Sequence, residues 1–127
     1  MKNYRIKPGS KVNLNEWDPN DKSAFQENKE EGKEILLKLN QRIDELQELL
    51  YAEHKHKVLL VFQAMDTGGK DGAIRDVFEG VNPQGVHIVS FKKPSLEELD
   101  RDYLWRVHNR VPGKGEVVVF NRSHYED

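Results

Sequence analysis

Polar and apolar positions along the chain change period several times, and each change marks an element. Residues 1–31 show no period: they are polar, broken by Pro8, Gly9 and Pro19, with Tyr4, Trp17 and Phe25 as their aromatic residues. This stretch reads as an N-terminal arm held by a few anchors. From residue 32 to about 54, Leu36, Leu39, Ile43, Leu46 and Leu50 recur at steps of three and four. That spacing predicts a long helix with one apolar stripe, docked on a sheet. The apolar run 58–62, with its β-branched valines, predicts a buried strand. Ile74, Val77 and Phe78 then place a helix over 70–79, stopped by Gly80. A turn at 82–85 leads into a second strand, 86–91. Ser95 and Glu98 have the spacing of a capping box and open a helix carrying Leu99, Tyr103, Leu104 and Val107. Pro112, Gly113 and Gly115 end it, and a third strand follows over 116–120.

Strand, helix, strand, helix, strand is the order of an α/β fold: a parallel sheet with right-handed crossovers and helices on both faces. Three strands are few for such a sheet, so residues 32–127 read as a core truncated after the third strand.

Composition narrows the classes. The 127 residues carry a formal net charge of −2 with 33% charged residues, which argues against a nucleic-acid coat. Cysteine is absent, which excludes disulfides and thiolate metal sites. No apolar stretch approaches the roughly 18–20 residues of a membrane span, and the first five residues do not look like a signal peptide. The expectation is a cytoplasmic protein.

The turn after the first strand carries the chemistry. Thr67, Gly68, Gly69, Lys70, Asp71 and Gly72 lie between a strand and a helix, the layout of a phosphate-binding P-loop. Glycines let backbone N–H groups approach phosphate oxygens, the helix N-terminus adds a favourable dipole, and Lys70 supplies a point charge. Two positions depart from the common pattern: Ala64 stands where a first glycine is usual, and Asp71 where a hydroxyl residue follows the lysine. Asp71 either binds magnesium or simply suits the positive end of the helix. Asp66, an acid beside a polyanion, is the candidate metal ligand or base toward an acceptor oxygen. Arg75 lies one turn into the helix, within reach of a phosphate. A second cluster, Asn121 to Asp127, follows the third strand, where parallel sheets place ligands. In it Arg122 would clamp phosphate and Glu126 or Asp127 would hold magnesium. Lys92, Lys93, Arg106, Arg110 and Lys114 are candidates for an anion-binding channel, and His124 for a weaker part. An ordinary strand-to-helix turn and a solvated charge run are the plainer alternatives for these motifs.

The residues from Phe62 to Arg75 closely resemble the P-loop of the polyphosphate kinase 2 family. The segments 80–86, 90–94 and 102–108 continue the resemblance, and 120–127 stands where that family has its Walker B region. The resemblance implies a P-loop kinase-like fold, a transferase moving phosphate between inorganic polyphosphate and nucleotides, and a magnesium requirement, with manganese as an alternative. It is strongest to the branch that phosphorylates nucleoside mono- and diphosphates, making AMP and ADP the expected acceptors. It implies that Asp66 and Asp127 manage metal and acceptor chemistry and that Lys70, Arg75 and Arg122 bind phosphates, with Asn121 beside them. It further implies core strands and a helical lid beyond Asp127. No nucleic acid and no membrane is expected as partner, and a homo-oligomer is. Competing readings are an ATP-dependent nucleoside-monophosphate kinase and a non-catalytic fragment binding nucleotide or polyanion.

Overall fold

The computed structural model of the chain describes residues 4–23, 25, 28–65 and 67–125. By its contacts the chain divides into two units, Met1–Glu34 and Ile35–Asp127, the division falling within the first long helix. In the first unit the Tyr4 hydroxyl donates to Asp21 at 3.1 Å, and the Tyr4 and Trp17 rings lie 6.4 Å apart. Ahead of the long helix, the regular structure among its described residues is a 3-10 turn, Leu14–Glu16, capped by Asn13.

Helix α1 spans Lys29–Glu53, starting three residues before the start expected at residue 32. Asn28 accounts for the early start. Its side chain accepts from the N–H groups of Glu30 and Glu31, both at 3.0 Å, and Glu31 returns a bond to Asn28 N at 3.3 Å. This reciprocal cap contributes about 1 kcal/mol.

In the second unit β1 is Val58–Phe62, α2 Lys70–Val77, β2 Val86–Ser90 and β3 Val117–Asn121. The sheet is parallel, in the order β1-β3-β2, so β3 is central: Val58 and Val86 both align with Val117. Alternation in β3 separates two faces. Val118 and Phe120 pack with Phe91 and Val107 on one, where the Phe91 and Phe120 rings meet edge to face at 4.8 Å. On the other, Val117 borders an apolar cavity of about 350 Å³ shared with Ile43, Leu50 and Phe78 of the helical layer.

Three expectations need correction. The helix expected after residue 95 is two short ones, α3 (Leu96–Leu99) and α4 (Trp105–His108). Asp102 breaks it: its side chain accepts from Leu104 N at 2.9 Å and its carbonyl from Trp105 N at 2.8 Å, a local turn that competes with helical bonding. The docked face of α1 includes Leu36, Ile43 and Leu50 of the stripe, all half-buried, but not the whole stripe. Leu39 and Leu46 are about half exposed, whereas Asn40 and Gln47 are buried. Asn40 donates to Asp76 O at 2.8 Å, completing a carbonyl near the end of α2, and Asp44 accepts from Asn82 N at 2.9 Å. Gln47 packs so closely on Gly85 that a Cβ there would stand 1.7 Å from its Nε2. Finally, β1 is not a buried strand. Val58 to Val61 are 37–45% exposed, because β1 is an edge of the sheet.

Candidate functional site

Because β1 and β3 are parallel neighbours, the loop leaving β1 and the polar cluster leaving β3 emerge side by side. Arg122 N donates to Phe62 O at 3.0 Å, and Phe91 N donates to Asn121 O at 3.1 Å from the β2 side. The end of β3 is therefore tied to both neighbouring strands.

The loop is tight, and its glycines differ in what they do. Gly68 N donates to Met65 O at 2.9 Å, and a Cβ on Gly68 would lie 2.8 Å from both Ala64 Cβ and Met65 O. Gly69 has φ +80°, in the left-handed region, while its carbonyl accepts from Ala73 N at 2.9 Å to start α2. Gly72 needs neither property, since a Cβ there would meet only Arg75 Nη2, at an ordinary 3.9 Å. Thr67 shares the left-handed region with φ +65°.

Lys70 is the first residue of α2 and is only 7% exposed. Among the described residues no carboxylate pairs with its ammonium. A largely buried lysine that opens a helix without a carboxylate partner sets two positive features, its ammonium and the helix N-terminus, side by side, and an anion suits both.

Asp71 is held from across the gap: Asn121 Nδ2 donates to its Oδ1 at 2.5 Å. A carboxylate only accepts, so the amide must present its nitrogen. Asn121 Oδ1 then faces inward, buried and without a partner among the described residues. Gln63 Nε2 donates to Ser123 Oγ at 3.2 Å, a second bridge between the two loops. Neither bridge was legible in the sequence, because the partners lie 50 and 60 residues apart. The one available signal was that both loops leave neighbouring strands.

Arg75 reaches Asp76 at 2.9 Å and lies exposed on α2. Arg122 has φ +67° and with Ser123 forms one wall of an open cleft of about 470 Å³. Phe91, Lys92, Lys93, Pro94 and Leu99 form the rest. The expected cationic channel thus divides. Lys92 and Lys93 line this cleft, Arg110 lines a separate depression beside β2, and Arg106 is buried at 8% exposure. His124 stacks on Tyr125 at 4.2 Å, with its Nδ1 buried and unbonded among the described residues. Asp66, Glu126 and Asp127 lie outside the described residues.

Magnesium favours oxygen ligands, and the junction offers them: the Asp71 carboxylate and the inward, unpartnered Asn121 Oδ1. The donor set fits a hard cation. Among the described residues no three His, Asp or Glu side chains cluster to hold a metal.

Residues 26–127 match the family model "Polyphosphate kinase 2". The chain is 61% identical over its whole length to the AMP/ADP-polyphosphate phosphotransferase of Meiothermus ruber, covering 48% of that protein. It is 49% identical over 99% of its length to the ADP-polyphosphate phosphotransferase of Rhodopseudomonas palustris, covering 43% of it. The crystal structure of polyphosphate kinase 2 from Arthrobacter aurescens superposes with a TM-score of 0.86 at 42% identity, over 97% of this chain and 45% of that one. The chain thus spans about half the length of the curated relatives it matches. With that model matching most of its length, the chain belongs to the polyphosphate kinase 2 family.

Proposed function

We propose that the protein containing this chain transfers phosphoryl groups from inorganic polyphosphate to AMP or ADP, with magnesium. The observation that carries this reading is Lys70, a largely buried residue that lacks a protein counter-charge among the described residues and opens α2 beside the loop of Gly68 and Gly69. The names of the relatives supply the donor and acceptor classes.

In this reading Lys70 and the backbone N–H groups of 67–72 bind the phosphates being transferred. Such transfer is mainly a matter of positioning and charge neutralisation. Arg122 holds phosphate from the β3 side, and Arg75, released from Asp76, contacts it from α2. Asp66 and Asp127, with Asp71 nearby, would hold magnesium, which when bound would further neutralise phosphate charge. Asn121 orients Asp71 through the hydrogen bond that its amide donates to the carboxylate. Asp66 also receives the proton of the acceptor oxygen. The reading includes a cytoplasmic location; among the described residues no helix is long and apolar enough to cross a membrane. It includes a homo-oligomer too, for which the exposed Leu37 and Leu49 of α1 offer apolar surface.

The test is turnover by the full-length protein with magnesium, polyphosphate and AMP or ADP, without ATP as donor. We expect the higher nucleotide to form. Lys70→Ala should lower the rate by about two or more orders of magnitude with an unchanged fold. Product only with ATP as donor would favour the ATP-dependent kinase reading, and near-normal rates for Lys70→Ala would remove the lysine from the chemistry.

A further inference from the structure

We propose that Arg106 is a positioning residue for the anionic substrate: from within the core it fixes Lys92 and Lys93 on the wall of the cleft that faces Arg122. The inference rests on the proposed function, because it takes a condensed phosphate as the ligand.

The segment between β2 and α3 has to present two ammonium groups close together, and like charges on a free loop would splay apart. Here the segment is pinned at both ends. Arg106 Nη2 donates to Lys92 O at 2.6 Å, and Phe91 N is already bonded to Asn121 O at 3.1 Å. At the far end Glu98 Oε2 accepts from Ser95 N at 2.7 Å, and the Ser95 hydroxyl accepts from Glu98 N at 3.3 Å.

Arg106 also joins the two pins, since its Nε lies 3.4 Å from Glu98 Oε1. Its guanidinium lies over the Phe91 ring, 5.1 Å from the centroid, which places the charge against the core. A planar guanidinium bonds the carbonyl through one nitrogen and keeps another near the carboxylate, an ion pair without a hydrogen bond, which a lysine ammonium does not reproduce with the same geometry. Two pins four residues apart leave little slack in a segment that also contains Pro94. Lys92 and Lys93 remain exposed, on the same cleft as Arg122 and Ser123. Arg106 therefore contributes to binding without touching the ligand.

The experiment measures polyphosphate KM and kcat in the full-length protein for wild type, Arg106→Lys, Arg106→Met and the double variant Lys92→Ala/Lys93→Ala, together with Arg106→Met in that double background. We expect Arg106→Met to raise the polyphosphate KM about tenfold, the loss of one charge-assisted bond. Arg106→Lys should rescue it only in part, with smaller changes in kcat and in the nucleotide KM. Once both lysines are gone, Arg106→Met should add little, since nothing is left to position. Additive KM effects in that cycle, or equal loss with and without the lysines, would mean that Arg106 only supports the fold. Should the Arg106 variants fail to fold, the lysine double variant still decides, as an unchanged polyphosphate KM overturns the inference. A wild-type protein that makes no nucleotide from polyphosphate removes the proposed function and this inference with it. Wild-type turnover with unmoved KM values removes this inference alone.

Discussion

At the level of single residues, the loop after β1 separates two reasons for a glycine that look identical in sequence. Gly68 is small because Ala64 Cβ and Met65 O each lie 2.8 Å from where its Cβ would be. Ala64 is therefore part of the reason that Gly68 cannot change, an interaction that motif spacing does not reveal. Gly72 has open space and lies inside α2, where an alanine is favoured over glycine by up to about 1 kcal/mol. Denaturant unfolding should show Gly68→Ala losing about 1–3 kcal/mol through overpacking, with turnover falling alongside. Gly72→Ala should be neutral or stabilising in the same measurement. If it keeps its stability yet loses turnover, the glycine is required by a ligand's approach rather than by the chain. That the loop after β1 and the cluster after β3 lie side by side was legible, since a strand-to-helix turn and a post-strand cluster both belong at the carboxyl end of a parallel sheet. Their hydrogen bonds were not, because the Asn121–Asp71 bond depends on side-chain reach across 50 residues of sequence.

Among the elements, β1, β2 and β3 fall within one residue of the runs expected from apolar content. Helical segments were less legible wherever a polar side chain made the decisive bond. Leu99, Tyr103, Leu104 and Val107 keep a helical period across 100–104, yet Asp102 ends the helix from within that period. Along α1, Asn40 and Gln47 look like solvent positions but are buried between Leu36, Ile43 and Leu50, so the stripe finds the docked face while missing its most buried members. The capping box at Ser95, in contrast, was legible and is present. It has a pH signature. Ser95 N–H, bonded to the Glu98 carboxylate, is the main cause holding that group's pKa below the ordinary 4.5, with Arg106 and Arg110 adding smaller contributions. A lowered folded-state pKa stabilises the protein above the unfolded value, and that contribution is lost as pH falls through the lowered value. The stability gap between wild type and Glu98→Gln should thus be constant near neutral pH and narrow in acid below the usual glutamate range. A gap unchanged through that range would assign the effect to geometry rather than charge.

For the second unit taken whole, the order β1-β3-β2 explains which apolar residues are protected better than hydrophobicity does. Val58–Phe62 and Val117–Asn121 are similarly apolar runs, but only the second lies between two partners. A period in sequence reports that a strand exists and not how many neighbours it has, so the exposure of β1 could not be read in advance. Val61 and Val118 make the comparison direct. Both point to the sheet face away from α2, yet Val61 is 45% exposed and Val118 only 3%. Valine to threonine keeps the shape and adds one hydroxyl, which must be desolvated only where the site is closed. In urea unfolding of the 127-residue chain, Val118→Thr should cost about 1–3 kcal/mol, and Val61→Thr should stay within about 0.5 kcal/mol. Hydrogen exchange should agree, with the amides of β3 opening with the whole unit and those of β1 exchanging sooner from an unpaired edge. Equal losses at the two valines would mean that something covers Leu59 and Val61 in solution, and repeating the pair in the full-length protein would then locate that cover.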